Sequence, residues 1–382
     1  MYSNEQYIVK KKITWVTPDY FVDCDFNPNI FSEILKYFDI HWIILLPNKN
    51  ARFSKNDFTT IQQLQGVTVE FFYWTNRARN PKMLFFFEKI YRRIKELKAD
   101  LVYFNYVPDS PYVLPLYWRL EKNKTIVTAH DGDVKPSFKM PWLSKNVFNL
   151  AFSTVKYVNM FSLTQSLVFK SIFKKAKVFT IPLGLKDFGV SSLTKSANDI
   201  VFLFFGSIHS NKNLELLIDA ACNLFDHGVR GFKIAIHGAC ANWQPYYERI
   251  KYPELFECDI RLHANSEIAG LFAQSHYAVY PYKELSQSGA LKVAFNYNVP
   301  VIVSDLEGFT DEVKNGENGF VFKSESVLNL EQIMTEIIKN HSNEYLSIQR
   351  KSFNYNNDNY SEAMIASKYI NMFNEVLSKN MK

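Results

Sequence analysis

Two short segments in the second half of the 382-residue chain combine residue types that can hold an anion. Gly206–Lys212 begins with a glycine, which lets a backbone approach a ligand closely, and ends in a lysine whose ammonium group can face a phosphate. Tyr282–Gly289 carries Ser286, Ser288 and Gly289 directly before a predicted helix. These small residues leave the first N–H groups and the positive dipole end of that helix accessible, which suits a diphosphate. An ordinary βα loop and an ordinary helix cap at Ser288 are the structural alternatives.

A third segment, Ser304–Glu312, supplies carboxylates instead of cations. Its Asp305 and Glu307 follow a predicted strand and could accept hydrogen bonds from the hydroxyl groups of a sugar or a ribose. Carboxylates in loops are also commonly just solvated, and this alternative stays open. The sequence contains neither GxGxxG nor GxxxxGKS/T, so it predicts neither a dinucleotide-binding fingerprint nor a P-loop.

The stretches around these segments alternate between short runs of β-branched or aromatic residues and amphipathic stretches. This alternation predicts βα units and parallel sheets, so we expect an α/β protein with two tandem Rossmann-like domains. Ligands of open parallel sheets bind beyond the carboxyl ends of the strands, where all three segments fall. The predicted strands are Ile13–Thr17, Trp42–Leu46, Val67–Phe72, Leu101–Asn105, Thr125–Ala129, Val178–Ile181, Ile200–Phe205, Phe232–His237, Tyr277–Tyr280 and Val299–Val303. The predicted helices include Asn29–Phe38, Leu84–Leu97, Ser144–Val155, Leu214–His227, Glu267–Gln274, Gly289–Tyr297 and Ala363–Leu377.

Domain boundaries follow from one segment without periodicity. Leu183–Asp199 carries glycine, serine and asparagine and is the best candidate for a linker. The predicted parts are a first domain at 1–183, a linker at 184–199, a second domain at 200–360 and, at 361–382, a C-terminal helix that returns toward the first domain. In the second domain we expect Asn213 to cap the helix that begins at Leu214, and Gly228 to follow its end.

The composition excludes several classes of protein. The chain is 47% apolar and 21% charged, which is typical of well-buried globular domains. Its apolar runs, such as Met83–Phe87, are far shorter than the roughly 18–20 residues that span a bilayer. Met1–Lys12 is polar and does not resemble a signal peptide. The four cysteines form no CxxC pair, so neither a disulfide scaffold nor a structural zinc site is expected, and the protein is predicted to be cytosolic.

Charge is distributed unevenly between the two halves. The formal net charge is +6, but residues 1–180 carry +11 and the remainder carries −5. Residues 134–186 contain nine lysines and no carboxylate, and Arg77–Lys98 is a second basic stretch around an aromatic run. A basic, aromatic-rich face suits an anionic membrane or an anionic lipid-linked substrate. It would equally suit nucleic acid, and a solvated lysine-rich surface is the simplest alternative.

The order of these motifs resembles a known family. Residues 201–322 resemble the donor-binding domain of retaining glycosyltransferases of family four, which have the two-domain GT-B fold. The resemblance is carried in the second half by FFGSIHSNKNLELLIDAA and YPYKELSQSGALKVAFNYNVPVIVSDLEGFTDEVKNGENGFVF. In the first half, IVTAHD resembles a strand that ends in His-Asp, and FTIPLGL resembles the segment before the linker.

The resemblance implies a donor cleft between the domains and transfer of a sugar from a UDP- or GDP-linked donor with retention. Lys212, Ser288 and Gly289 would then contact the diphosphate, and Glu284 would lie near the sugar hydroxyls. Lys212 and Glu284 are also expected to act in catalysis. The expected donor-binding residues are Gly206, Ser207, Ser286, Gln287, Ser288, Gly289 and Glu307.

In the first domain, His130 matches the family histidine and is expected to contact the sugar or the departing phosphate. Asp19 and Asp131 are the expected acceptor contacts. The chain departs from the family at Ser207, where an arginine is common, and at Lys292, where many members have the second glutamate of a pair. The Asp-x-Asp patterns at Asp23–Asp25 and Asp131–Asp133 are interpreted as loop polarity, so no metal and no resident cofactor are expected.

The leading hypothesis is a glycosyltransferase of surface polysaccharide synthesis. A glycan or polyprenyl-pyrophosphate-linked acceptor and peripheral contact with the inner face of the cell membrane would account for the basic first half. A nucleotide-sugar epimerase or hydrolase on the same fold would leave that basic half unexplained. A non-enzymatic protein that binds membranes or nucleic acid would show salt-sensitive binding that does not depend on Lys212.

Overall fold

The computed structural model describes residues 10–22, 27–49, 51, 53–77, 79–106, 110–134 and 140–379. The Asp23–Asp25 pattern lies outside these residues. The chain divides into two compact units, one formed by residues 1–183 together with 362–382 and the other by residues 184–361.

Unit 1 is built on a seven-stranded parallel sheet in the order β3-β2-β1-β4-β5-β6-β7. Its strands are β1 (Lys11–Pro18), β2 (Phe38–Pro47), β3 (Val67–Trp74), β4 (Leu101–Phe104), β5 (Thr125–Thr128), β6 (Tyr157–Met160) and β7 (Lys177–Thr180). The sequence prediction missed β6, whose four residues include the polar Asn159. All four are buried, and Asn159 is accommodated because its amide donates to the Tyr103 hydroxyl at 3.0 Å.

Helices cover this sheet. They are α1 (Pro28–Leu35), α2 (Thr59–Gln62), α3 (Met83–Leu97), α4 (Leu114–Arg119), α5 (Pro141–Phe152) and α6 (Leu163–Ile172), joined by α13 (Glu362–Ser378) from the chain end. The C-terminal helix α13 returns to unit 1, as predicted. Tyr369 and Phe373 of α13 place their rings 5.3 and 5.9 Å from the ring of Trp15 on β1. The apolar stripe of α13 therefore completes one side of the unit 1 core.

Unit 2 holds a six-stranded parallel sheet in the order β10-β9-β8-β11-β12-β13. Its strands are β8 (Ile200–Phe205), β9 (Phe232–His237), β10 (Phe256–Asp259), β11 (Tyr277–Tyr280), β12 (Val301–Ser304) and β13 (Gly319–Phe322). Its helices are α7 (Leu214–Asp226), α8 (Gln244–Tyr247), α9 (Asn265–Gln274), α10 (Gly289–Asn296), α11 (Glu307–Thr310) and α12 (Val327–Tyr360). The expectation of two parallel-sheet α/β domains is confirmed.

The elements of unit 2 that the prediction missed are the two edge strands and one long helix. Edge strands β10 and β13 are only half covered, so their sequences lack a continuous apolar run. The 34-residue α12 has a weak apolar stripe because much of its surface faces solvent. Residues 184–199 form no helix or strand, but Leu185 and Phe188 pack against the unit 2 core, and Phe188 N donates to the Tyr297 hydroxyl.

The ends of α7 test two predictions about capping. Gly228 has φ of +82° and follows the last turn of α7, so the expected glycine stop is confirmed. Asn213 does precede α7, but its side chain does not cap the helix, and this prediction is wrong. The backbone of Asn213 is left-handed, with φ of +51°, which turns its side chain away from the first N–H groups of α7.

Candidate functional site

Three loops meet at the carboxyl edge of the unit 2 sheet. Strand β8 lies between β9 and β11, so the chain leaves β8 toward one side and leaves β11 toward the other. A crevice opens at such a switch point in parallel sheets. The loops after β8 and β11 are joined directly, because Lys283 N donates to the carbonyl oxygen of Asn211 at 2.9 Å and Lys283 Nζ pairs with Glu215 at 3.1 Å.

Lys212 and Tyr282 bring the two loops into register. The Nζ atom of Lys212 lies 3.7 Å from the ring centroid of Tyr282, which is a cation–π contact. Tyr282 is fully buried, and this burial raises the pKa of its hydroxyl, opposed only in part by a hydrogen bond with Ser288. The neutral Tyr282 ring therefore supports both the predicted cation and the predicted helix cap.

The beginning of α10 has the form that the sequence predicted. The Ser288 hydroxyl accepts a hydrogen bond from Leu291 N at 3.2 Å, and Gly289 is the first helical residue. A methyl group on Gly289 would lie 3.2 Å from the Nζ atom of Lys186. A lysine at the positive end of a helix is electrostatically unfavourable by itself, and an anion between the two relieves that cost.

Sequence reasoning missed Lys186. The residue belongs to the segment without periodicity that precedes β8, far from Gly289 along the chain. Its backbone N–H donates to the carbonyl oxygen of Lys292, which fixes the segment against α10. The only signal in the sequence was the FTIPLGL motif, which ends one residue before Lys186 and was not used to select a ligand-binding residue.

The other predicted residues of the loop after β11 differ in exposure. Glu284 is exposed, Gln287 is half-buried and Ser286 is buried. Gly308, at the beginning of α11, packs so closely on this loop that a methyl group there would lie 3.0 Å from the carbonyl oxygen of Ser286. The structure thus brings the loop after β12 against the loop after β11, and Glu307 is exposed beside that contact.

Asp305, the other predicted carboxylate of that third loop, has a local structural partner. It accepts hydrogen bonds from the backbone N–H and the hydroxyl of Ser324, and these bonds lower the pKa of its carboxyl group. The carboxylate thereby caps the turn that follows β13. Glu307 is consequently the carboxylate of this loop that is better placed to contact a ligand.

The loop after β8 begins where two strands come very close together. Gly206 N donates to the carbonyl oxygen of His237 at 3.0 Å, and a methyl group on Gly238 would lie only 1.9 Å from the carbonyl oxygen of Gly206. No side chain larger than hydrogen fits at Gly238. Ser207 follows Gly206 and is exposed, so its short side chain contributes a hydroxyl where the resemblance leads one to expect an arginine.

Position 292 lies in the core of unit 2. Lys292 is fully buried and pairs with the carboxylate of Glu312, and its Nζ atom lies 3.4 Å from the ring centroid of Tyr360. Burial raises the pKa of Glu312, and the neighbouring ammonium group opposes that change. The residue that stands in place of the second family glutamate thus holds α10 against the segments that follow α11 and α12, and it does not face the loops.

Unit 1 brings its predicted residues to the carboxyl edge of its own sheet. His130 follows β5, and its Nε2 atom lies 2.9 Å from the Oδ1 atom of Asn105, which follows the neighbouring strand β4. His130 is buried beside Phe161, and burial lowers its pKa to about 3, so the imidazole is neutral. Asp19 follows β1 and is buried, and its Oδ1 atom accepts a hydrogen bond from Phe53 N at 3.2 Å. Asp131 is half-buried next to His130.

The basic stretch Arg77–Lys98 is less cationic than its sequence indicates. On α3, Arg92 pairs with Glu88, Arg93 pairs with Glu70 and Glu96, and Lys95 pairs with Glu121. These pairs neutralise much of the charge that the sequence analysis attributed to this stretch.

Exposed apolar groups lie on α5 and α6, which pack against each other through Phe148 and Phe169. We call this region the α5–α6 surface, defined by Trp142, Leu150, Leu163, Leu167 and Ile172. Within the described ranges, no helix is both long enough and apolar enough to cross a bilayer.

Comparisons with known proteins bear on both units. Residues 199–340 match the family model described as Glycosyl transferases group 1. Comparison with curated proteins gives no match. Similar solved structures include a glycosyltransferase from Rickettsia africae ESF-5, with a TM-score of 0.73 and 16% identity over 96% of this chain and 99% of that chain.

Two further structures have similar coverage. Sucrose-phosphate synthase (tll1590) from Thermosynechococcus elongatus has a TM-score of 0.73 and 12% identity over 97% of this chain and 100% of that chain. Anabaena Alr3699/HepE in complex with UDP and glucose has a TM-score of 0.67 and 17% identity over 96% of this chain and 100% of that chain. The expected fold is therefore confirmed. The chain carries a Glycosyl transferases group 1 domain on the fold of GT-B glycosyltransferases, which supports a transferase activity.

Proposed function

We propose that the chain transfers a sugar from a nucleoside diphosphate donor, which unit 2 binds at the loops after β8, β11 and β12. The observation that carries this proposal is the Lys212–Tyr282–Ser288 contact, which fixes a cation beside the uncrowded beginning of α10. A diphosphate is the ligand that such a cation and such a helix end bind best.

The proposed chemistry is stabilisation of the leaving group. Negative charge accumulates on the diphosphate as the bond to the sugar breaks. The Lys212 ammonium and the first N–H groups of α10 are already oriented, so they stabilise this charge without reorganisation. Lys186 adds a second cation at the same helix end. No metal is required in this scheme, and retention of the anomeric configuration is proposed from the family resemblance.

Glu284 and Gln287 are proposed to bind the sugar hydroxyls, and Glu307 the ribose hydroxyls. The exposed or half-buried positions of these three side chains support this assignment. UDP is our first choice of nucleotide, because Alr3699/HepE was solved with UDP and with UDP-glucose. GDP remains the second candidate.

For unit 1 we propose binding of a glycan or a polyprenyl-pyrophosphate-linked acceptor near Asp19 and Asp131. His130 is proposed to act on the reacting sugar as a neutral hydrogen-bonding group, which its burial and its lowered pKa support. TarM from S. aureus, a structural neighbour with a TM-score of 0.59, was solved with alpha-GlcNAc-glycerol and UDP, so a glycosylated polyol is one acceptor class to test.

We further propose that the α5–α6 surface rests on the inner face of the cell membrane during surface polysaccharide synthesis. Trp142 and Leu167 are 76% and 62% exposed on neighbouring helices, and exposed lysines such as Lys170 and Lys174 lie beside them. Aromatic and aliphatic groups enter the interface while lysines contact anionic headgroups. The surface is drawn from the carboxylate-free residues 134–186 and does not depend on the ion-paired α3.

The proposed function is tested by the thermal stability of the purified chain in the presence of UDP, GDP, ADP and their sugar conjugates. A nucleotide at about 100 times its Kd should stabilise the fold by roughly 2.7 kcal/mol, which is visible as a rise in Tm. A rise with one nucleoside diphosphate supports the proposal and identifies the base. A rise with duplex DNA alone would contradict it and favour the nucleic-acid alternative.

A further inference from the structure

A group of potential metal ligands lies at the other end of the same sheet edge in unit 2. His237 is the last residue of β9 and Asp259 the last residue of β10, and these two residues are partners in the parallel strand register. Their side chains therefore leave the sheet on the same side. His263 comes from the short segment before α9, and its ring centroid lies 5.2 Å from that of His237.

The three side chains present ligand atoms close to one another. One nitrogen from each histidine and one carboxylate oxygen of Asp259 all lie within 4.8 Å of one another. The Nδ1 atom of His263 lies 4.0 Å from Asp259 Oδ2 and 4.0 Å from Glu267 Oε2, which is too long for a hydrogen bond.

Both imidazoles have a buried nitrogen without a hydrogen-bond partner. His237 is 7% exposed and the His263 side chain 3% exposed, and the Nδ1 atom of each is buried and unpaired. Buried polar atoms are nearly always satisfied, so two adjacent exceptions require an explanation. A shared ligand that accepts electron pairs would satisfy both.

The surroundings of His263 orient its ring as they would in a metal site. Its Nε2 atom lies 3.3 Å from the carbonyl oxygen of Asp259, which fixes the proton on Nε2 and leaves a lone pair on Nδ1. Arg261 binds the carboxylates of Asp259 and Glu267 and holds both beside the histidine. Two carboxylates and one guanidinium carry a net charge of −1, so the cluster can accept a cation.

We propose that His237, His263 and Asp259 bind one divalent transition-metal ion, with a fourth position left for water. Two imidazoles and one carboxylate are ligands that suit zinc. Zinc–ligand bonds of about 2.0–2.1 Å place tetrahedral ligands about 3.4 Å apart, so the side chains must close by several tenths of an ångström on binding. This ion would connect β9, β10 and the beginning of α9, and it has no part in the proposed sugar transfer.

The test is zinc binding by the full chain after treatment with a chelator and desalting. Calorimetric titration with zinc chloride should give one ion per chain, and zinc should raise Tm. His263→Gln and Asp259→Asn should each weaken binding at least tenfold and remove the rise in Tm. Asp259 is 40% exposed, so Asp259→Asn tests the site without disturbing the core.

Two controls separate this site from adventitious binding. His227→Gln removes an exposed histidine elsewhere in unit 2, and Cys258→Ser removes the thiol next to Asp259, and both should bind zinc as the unchanged chain does. The visible spectrum with cobalt(II) should likewise report nitrogen and oxygen ligands in all but the site variants. Zinc affinity that is unchanged within about twofold in both site variants would overturn the proposal, and so would the absence of zinc binding by the unchanged chain.

Discussion

The ammonium group of Lys212 lies 3.7 Å above the ring of Tyr282, in unit 2, across the crevice between the loops that follow β8 and β11. The ring is buried and hydrogen-bonded toward the cap of α10, so the lysine is held on a rigid support. A cation held in this way loses little entropy when it binds an anion, which is an advantage at a phosphate-binding site.

Replacing Lys212 should impair transfer much more than folding. Lys212→Ala is expected to lower kcat by about 10²–10³-fold, because one preorganised donor to the developing charge is lost. Lys212→Arg should retain part of the activity, and Lys314→Ala, an exposed lysine of the same unit, should have no effect. The measurement is the initial rate with the nucleotide sugar that the thermal-shift experiment identifies. A rate for Lys212→Ala equal to that of the Lys314→Ala control would remove Lys212 from the diphosphate role.

Lys186 should contribute to affinity for the diphosphate and not for the nucleoside. Lys186→Ala is expected to weaken binding of the nucleoside diphosphate about tenfold, since its Nζ atom lies at the beginning of α10. Binding of the nucleoside without phosphates should not change. Calorimetric titration of both ligands gives the comparison. Equal losses for both ligands would show that Lys186 acts by holding the segment before β8 in place.

The buried pair of Lys292 and Glu312 should be important for stability, not for catalysis. Lys292→Met leaves a carboxylate in the core and is expected to lower the free energy of unfolding by about 3–5 kcal/mol. Glu312→Leu alone should cost a similar amount, and the double variant should recover most of the loss because no charge stays buried. Urea unfolding monitored by circular dichroism measures each value. A double variant that is as unstable as the sum of the single variants would contradict this interpretation.

Acid should destabilise the protein through histidines that are neutral in the folded state. Burial lowers the pKa of His130 to about 3 and the pKa of His237 and of His276 to about 4. Between pH 6.5 and about 4 the unfolded chain binds protons at these positions and the folded chain does not, so stability falls as the pH falls. Each such histidine contributes about 1.4 kcal/mol per pH unit once the unfolded chain is protonated there.

His276 allows a direct test of this pH dependence. Its Nδ1 atom accepts a hydrogen bond from Val201 N at 3.0 Å, which asparagine can mimic. His276→Asn should make the decline in unfolding free energy between about pH 6 and pH 5 shallower, whereas the exposed control His227→Gln should leave the decline unchanged. Urea titrations at the two pH values suffice. Identical slopes for His276→Asn and the unchanged chain would show that His276 is already protonated in the folded state.

The α5–α6 surface should determine association with membranes. Replacing Trp142 and Leu167 together by serine is expected to reduce co-sedimentation with vesicles that contain anionic lipid, since both side chains are largely exposed. The matched control replaces Leu262 and Leu346, which are 83% and 75% exposed in unit 2. Donor binding should be the same in all variants. Equal vesicle binding by the test and control variants would exclude this surface as the membrane contact.

Much of the architecture was determined by local sequence patterns. The prediction gave the bounds of β8, β9 and β11 as the structure has them, because these strands are continuous apolar runs bounded by glycine, histidine and serine residues. The same reading placed the three loops of unit 2 beyond strand ends, and it identified Lys212, Ser288 and Gly289 as residues that could hold an anion. These features depend on periodicity and on capping, which act over a few residues.

The tertiary structure decided the contacts between residues that are distant in the sequence. Lys186 reaches Gly289, Lys292 pairs with Glu312, and His237 meets His263, but none of these pairs has a local signal. The exposed appearance of Arg93 in the sequence was also misleading, because its partner Glu70 comes from β3. A sequence indicates which side chains carry charge, whereas only the packing of strands and helices determines which charge is buried, paired or directed toward a ligand.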